Sequence, residues 1–176
     1  MIHGYPQTLA DLSDWARASG APLGEARIRF AQYGVLFAVA SVRPLTEGLV
    51  FKGGNALDFV WQPNRSTLDL DFSIDPMSEL SNLHPDTMSR LLAQGLSVAT
   101  TRLGTAYAIH RVRPNPRGSD KSFVTYETRI GYALADEDRL RQRMAHGETS
   151  SNVVDLDMSL NEPICDARLV PLGPSL

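Results

Sequence analysis

Asp69-Leu70-Asp71 is the run in this chain whose residue types and spacing can do chemistry. On a β-strand successive side chains alternate between faces, so carboxylates at i and i+2 point the same way. Side by side they can ligate one hard cation or flank two. A pair alone rarely completes such a site, and the run Val153 to Leu160 supplies candidates for a third acid. There Asp155 and Asp157 share one face while Val154, Leu156 and Met158 fill the other. An adjacent strand would bring one of these acids beside Asp69 and Asp71. Upstream stands Lys52-Gly53-Gly54-Asn55. A glycine pair ahead of a helix lets backbone N–H groups approach a phosphate, with the helix N-terminus favouring its charge. Glycine pair first and carboxylate pair second is an arrangement for phosphate and divalent metal, whose two-ion form clamps the attacking and leaving oxygens. Lys52 is a phosphate contact or a solvated charge. Arg65 and Ser66 lie on the turn entering the acid strand, where Arg65 is expected to fix the turn or pair with an acid.

Rival chemistries fail on particular residues. Asp69, Asp71, Ser73 and Asp75 imitate a calcium loop, but its sixth position is Ile74 where a glycine must turn. Its twelfth is Leu80, where a bidentate glutamate belongs. Neither GxxxxGK[ST] nor GxGxxG occurs. His3, His84, His110 and His146 are scattered and Cys165 has no CxxC partner, so zinc is not expected. No GxSxG elbow supports a serine nucleophile.

The elements that must position these residues follow from periodicity. Thr8 with Asp11 three residues on reads as a helix cap before Leu12, Trp15 and Ala16. After a break at Gly20 to Pro22, Ile28, Phe30, Ala31, Val35, Leu36 and Val39 form a core-wide helical stripe, which Pro44 to Gly48 is expected to end. Leu49 to Phe51 is strand-like, Asn55 to Trp61 helical, and Pro63 to Ser66 a turn. Leu68 to Ile74 alternates strictly, with Leu68, Leu70, Phe72 and Ile74 opposite Asp69, Asp71 and Ser73. Pro85 to Gln94 reads as a helix, and the character is expected to turn β-rich after Gly95. Strands are expected over Tyr107–Val112, Phe123–Tyr132 and Val153–Leu160, with a charged segment at Asp136 to His146 between the last two. Helices first and a mixed or antiparallel sheet later give an α+β layer fold.

At 176 residues the chain can bury a sizeable core, and 43% hydrophobic with 21% charged residues is ordinary for a globular protein. A net charge of −3 argues against a surface built throughout to grip nucleic acid. Arg102, Arg111, Arg113, Arg117 and Lys121 nevertheless fall where Asp120 is the sole acid, with Arg139, Arg141 and Arg143 soon after. They read as a solvated face or as a basic lip that draws a polyanion towards an acidic site. The start lacks the blocks of a secretory signal, and the longest apolar stretch is about half of the ~20 residues a membrane span needs. A single cysteine makes no internal disulfide, so a cytoplasmic protein without membrane association is expected.

Phe51-Lys52-Gly53-Gly54-Asn55-Ala56-Leu57, then Arg65-Ser66-Thr67-Leu68-Asp69-Leu70-Asp71-Phe72, resembles the AbiEii/AbiGii toxin family of nucleotidyltransferases, of the polymerase-β-like superfamily. Val154-Asp155-Leu156-Asp157-Met158-Ser159-Leu160-Asn161-Glu162-Pro163 looks like that family's third-acid strand. The resemblance implies a polymerase-β-like α+β core, a mixed sheet packed with helices and preceded by N-terminal helices. It implies one nucleotidyltransferase-like domain over 1–176, helical over 1–48 and catalytic over 49–170, with the family's helical C-terminal region missing. By the same resemblance Asp69, Asp71 and Asp157 would be catalytic and metal-binding, Asp157 matching the third acid better than Asp155. Gly53 and Gly54, with Lys52, Asn55, Arg65 and Ser66, would hold the nucleotide. The implied reaction moves a nucleoside monophosphate from an NTP to an acceptor hydroxyl, tRNA or another nucleic acid, with Mg2+ or Mn2+. The implied setting is a toxin beside a cognate antitoxin. The missing region raises an alternative, an inactive domain that binds nucleotide or a partner.

Overall fold

A computed structural model describes residues 5–60, 68–116, 124–165 and 167–172. Its elements run α1 (Leu12–Ser19), α2 (Leu23–Ala40), α3 (Arg43–Gly48), β1 (Leu49–Lys52), α4 (Gly53–Val60), β2 (Asp69–Ile74), α5 (Pro85–Leu103), β3 (Ala106–Asn115), β4 (Thr125–Ala133), α6 (Asp138–Ala145) and β5 (Val153–Ser159). The strands form one sheet in the order β1-β2-β5-β4-β3. β2 and β5 pair parallel, and every other neighbouring pair is antiparallel. This mixed sheet packed with helices is the α+β arrangement expected.

Alternation decides which side of the sheet is core. Leu70, Phe72 and Ile74 of β2, Val154, Leu156 and Met158 of β5 and Tyr126 and Ile130 of β4 are all buried. Against them lie α2, whose Phe30, Ala31, Val35, Leu36, Ala38 and Val39 are buried, and α5, with Met88, Leu92, Leu96 and Ala99. Thr8 and Asp11 bond reciprocally in the turn ahead of α1, the Thr8 amide donating to Asp11 Oδ2 (2.9 Å) and the Asp11 amide to Thr8 Oγ1 (3.3 Å), while the helix itself begins at Leu12 with Asp11 before it. Among the described residues no helix is long and apolar enough to cross a membrane.

Three expectations need correction. Pro44 to Gly48 is not the tail of the long helix, which already ends at Ala40. Pro44 instead stands in the first turn of the separate helix α3, where its missing N–H is no loss. The chain does not turn β-rich after Gly95, because α5 runs on to Leu103 and stops at Gly104 in the left-handed conformation. Gly95 is a point of close approach, where a Cβ would collide with the backbone carbonyl of Ala38 on α2. The charged segment after β4 contains α6, none of whose residues is buried.

Gly95→Ala is therefore expected to destabilise the fold by about 1–3 kcal/mol, the range for overpacking a close contact. Gly24→Ala, in the same helix layer with nothing within 4 Å of its added Cβ, is expected to stabilise it by up to ~1 kcal/mol. Urea unfolding midpoints of the two variants check the opposite signs.

Candidate active site

The second face of the sheet carries the polar side chains, and the register lines them up across strands. Lys52, Asp71, Asp157, Glu127 and Arg113 stand in one row over all five strands. Asp69, Asp155, Arg129 and Arg111 stand in the next. The parallel β2–β5 pairing is what sets Asp69 beside Asp155 and Asp71 beside Asp157, on strands about 4.8 Å apart. The expected acids on the two strands thus come together at the centre of the sheet. A cleft of about 190 Å³ is lined by Asp69, Asp155, Asp157, Glu127, Arg111 and Arg129. A larger hollow of about 550 Å³ lies away from the acids, against Arg43 to Glu47 and Asp75 to Glu79.

Crowded carboxylates hold their protons more tightly. Burial, then Asp71, Glu127, Asp69 and Asp155, push the Asp157 carboxyl up to about 6. Burial and Asp155 raise Asp69. Asp71 is also raised, by burial first, although Lys52 pulls it the other way. Asp155 differs in its company, because the Arg129 guanidinium lies 3.7 Å from its carboxylate. All four donors are hard carboxylate oxygens of the kind magnesium and manganese take. Among the described residues no three His, Cys, Asp or Glu side chains yet converge on one point for a metal ion.

The glycine turn leans over this face. Gly53 has φ of 74°, and a Cβ on it would lie 2.5 Å from Asp71 Oδ2. A side chain there would face both a left-handed backbone and the carboxylate. Lys52 forms an ion pair with Glu162, which also accepts from Ser73 Oγ (2.7 Å). Those contacts, Lys52 foremost, hold the Glu162 carboxyl below its ordinary range. Asn55 is fully buried, and its Nδ2 donates to the backbone carbonyl of Asp69 (2.6 Å). Its Oδ1 accepts from Tyr5 Oη (2.9 Å) and from the Arg29 guanidinium. Asn55, read as a nucleotide contact, thus spends its amide on the acid strand. Gln32, also buried, donates to the carbonyl of Leu68 (2.9 Å). Arg65 and Ser66 lie outside the described residues.

The sequence reading missed Arg29, Gln32 and Glu162. Its signal for the first two was a charged and an amide residue set inside an apolar helical stripe. For Glu162 it was the acid following the Asp157 strand. Of the residues read as a solvated face or a basic lip, Arg111 lines the acid cleft. Arg102 lies at the end of α5 near Tyr33, Arg113 is paired with Glu127 (2.6 Å), and Arg139, Arg141 and Arg143 ride on α6. Arg117 and Lys121 lie outside the described residues.

A protein-family model described as nucleotidyl transferase AbiEii toxin, type IV toxin–antitoxin system, matches residues 34–176. Comparison with curated proteins and with solved structures gave no match.

Two outcomes follow from this geometry. Asp157 keeps its proton up to about pH 6 when folded and to about pH 4 when unfolded. Its contribution to stability therefore falls as pH rises between those values and stays low above them. Asp157→Asn removes that charge, so in EDTA the variant is expected to melt higher than the parent at pH 7. The gap closes at pH 4, as thermal melts across pH check. Gly53→Ala is expected to cost about 1–2 kcal/mol from its left-handed backbone alone, read as a lowered urea midpoint.

Proposed function

Because the chain belongs to the AbiEii family of nucleotidyl transferase toxins of type IV toxin–antitoxin systems, we propose that the polar sheet face catalyses metal-dependent nucleotidyl transfer. The observation that carries this reading is the β2–β5 register, which sets Asp69, Asp71 and Asp157 side by side within two rows. The donors suit Mg2+ or Mn2+. Asp69 and Asp71 would hold the metal, with Asp157 completing the set. When bound, the ion would neutralise phosphate charge and polarise the oxygens of the reacting phosphoryl group.

The chain's own groups divide the remaining work. The Gly53–Gly54 turn, at the start of α4, offers backbone N–H groups to the triphosphate. Lys52, on the row of Asp71, is the cation on that flank and would trade Glu162 for a phosphate oxygen. The acceptor hydroxyl oxygen would attack the α-phosphorus as the bond to the β-phosphate oxygen breaks, releasing pyrophosphate. The hydroxyl proton would pass to the Asp157 carboxylate, which stands beside Asp71 in the same row. Asp157 is preferred to Asp155 as third acid, since Asp155 faces the Arg129 guanidinium. The acceptor would be tRNA or another nucleic acid, in the cytoplasm, with a cognate antitoxin as protein partner.

Asp71→Asn is expected to weaken Mg2+-dependent binding of a non-hydrolysable NTP at least about tenfold, a loss on the order of 1.4 kcal/mol. The melting temperature in EDTA should not fall. An unchanged titration refutes the assignment. Incubating the parent chain with labelled NTPs and total tRNA should leave label on RNA.

A further inference from the structure

Beyond the acids, on the β4–β3 side of the same face, the register sets two arginines opposite one another. Arg111 of β3 pairs with Arg129 of β4 in the row that continues through Asp155 to Asp69. Like charges directly opposite on neighbouring strands repel, and here Asp155 beside Arg129 and the charge of Glu127 near Arg111 offset part of that repulsion. Arg129 has Asp155 at 3.7 Å, with about two fifths of each side chain exposed. Arg111 is exposed and makes no hydrogen bond or ion pair to a described residue. Arg113, by contrast, is consumed by Glu127, which also accepts from Asn115.

The backbone is bent at this spot. The β3–β4 register shifts between Ile109 and Arg111, the signature of a bulge, which re-aims side chains near functional clefts. His110, inside the shift, lies over Gly131 and accepts from the Ser150 amide (3.3 Å). Burial first, and then the nearby Arg129, keep its imidazole below its ordinary value. Both arginines line the same cleft as Asp69 and Asp157.

We propose that Arg111 and Arg129 form a phosphate-binding pair for a polynucleotide acceptor strand, seated in the row of Asp69 and Asp155 on the two strands beyond them. A guanidinium presents a planar fork that matches phosphate oxygens, and two forks on adjacent strands suit one or two consecutive phosphodiesters. The order of the sheet favours the acceptor over the triphosphate. The glycine turn borders β1, the acids occupy β2 and β5, and the arginines occupy β4 and β3. With the NTP phosphates at the glycine turn, the flank beyond β5 is left for the strand that brings the hydroxyl. The assignment of an acceptor rests on the nucleotidyl-transfer reading; the existence of the phosphate site does not.

The test uses the full chain with two probes: a short fluorescein-labelled single-stranded RNA of mixed sequence in EDTA, and a non-hydrolysable NTP with Mg2+. Arg111→Ala, an exposed change, and Arg111→Ala/Arg129→Ala are measured with each. The double variant should bind the RNA at least about tenfold more weakly, with a salt slope smaller by about 1.4, or ~0.7 per lost phosphate contact. Its NTP affinity should stay within about twofold. Arg111→Lys should keep most of the salt slope while losing affinity, since it keeps charge without the fork. Loss of NTP affinity with RNA binding unmoved overturns the proposal in favour of a triphosphate site. Unchanged binding of both probes overturns it outright. If the parent shows no Mg2+-dependent NTP binding, the reading of the acids fails while the RNA measurement still judges the arginines.

Discussion

The parallel pairing of β2 with β5 is the constraint on which the rest of the structure depends. It sets four carboxylates in two adjacent rows, where burial first and mutual repulsion second lift the proton affinity of Asp69, Asp71 and Asp157. Something must hold the register against that repulsion, and the opposite face does. Leu70 stands beside Leu156 and Phe72 beside Met158, all buried. Each such side chain contributes about 1.5–3 kcal/mol by leaving water. A slip of one residue would exchange the two faces, putting acids against α2 and α5 and leucines in solvent. The apolar half of the alternation therefore fixes the geometry of the charged half.

A second hold comes from α2. Arg29 and Gln32 are buried in a helix that is otherwise apolar where it meets the sheet. Arg29 bonds Gln32 Oε1 and Tyr5 Oη, both at 3.1 Å, as well as Asn55, and its guanidinium lies 5.1 Å from the Tyr5 ring centre. Through Asn55 and Gln32 the cluster ends on the carbonyls of Asp69 and Leu68. Those carbonyls lead into the acid strand, so the network anchors its first residues from within the core. Such a buried network has weight because removing any one member strands the others, at about 1–3 kcal/mol for each unpaired group.

Much of this was legible in the sequence, for physical reasons that also set where legibility stopped. The alternation over Leu70 to Ile74 and Val154 to Met158 reports half-buried strands directly, whereas Leu68, expected on the same apolar side, precedes β2 and is 70% exposed. The chain cannot report which strands are neighbours or which way they run, because pairing is settled by tertiary contacts. The surroundings of Asp155 and Asp157 waited on the same information: Arg129 stands opposite Asp155 and Glu127 opposite Asp157. Gly95 misled because a glycine at a helix–helix contact and a glycine at a helix end look alike in one sequence. Asn55 misled for a related reason: beside a glycine pair an amide suggests a ligand contact, and only its burial shows it holding Asp69.

Charge on the polar face is graded, and under the proposed function the grading would let a protein of net charge −3 handle phosphates. Lys52 lies at one margin, the acids at the centre, and Arg129 and Arg111 at the other margin. At physiological salt a charge is felt over about 8 Å, less than two strand spacings beyond its neighbour. A phosphate therefore responds to the row it touches more than to the protein as a whole. Each margin can attract an anion while the centre repels one until a cation is present. Occupancy of the centre by a divalent ion would convert the middle of that profile from barrier to well. The two flanking cation groups would then hold their phosphates on either side of one reactive spot.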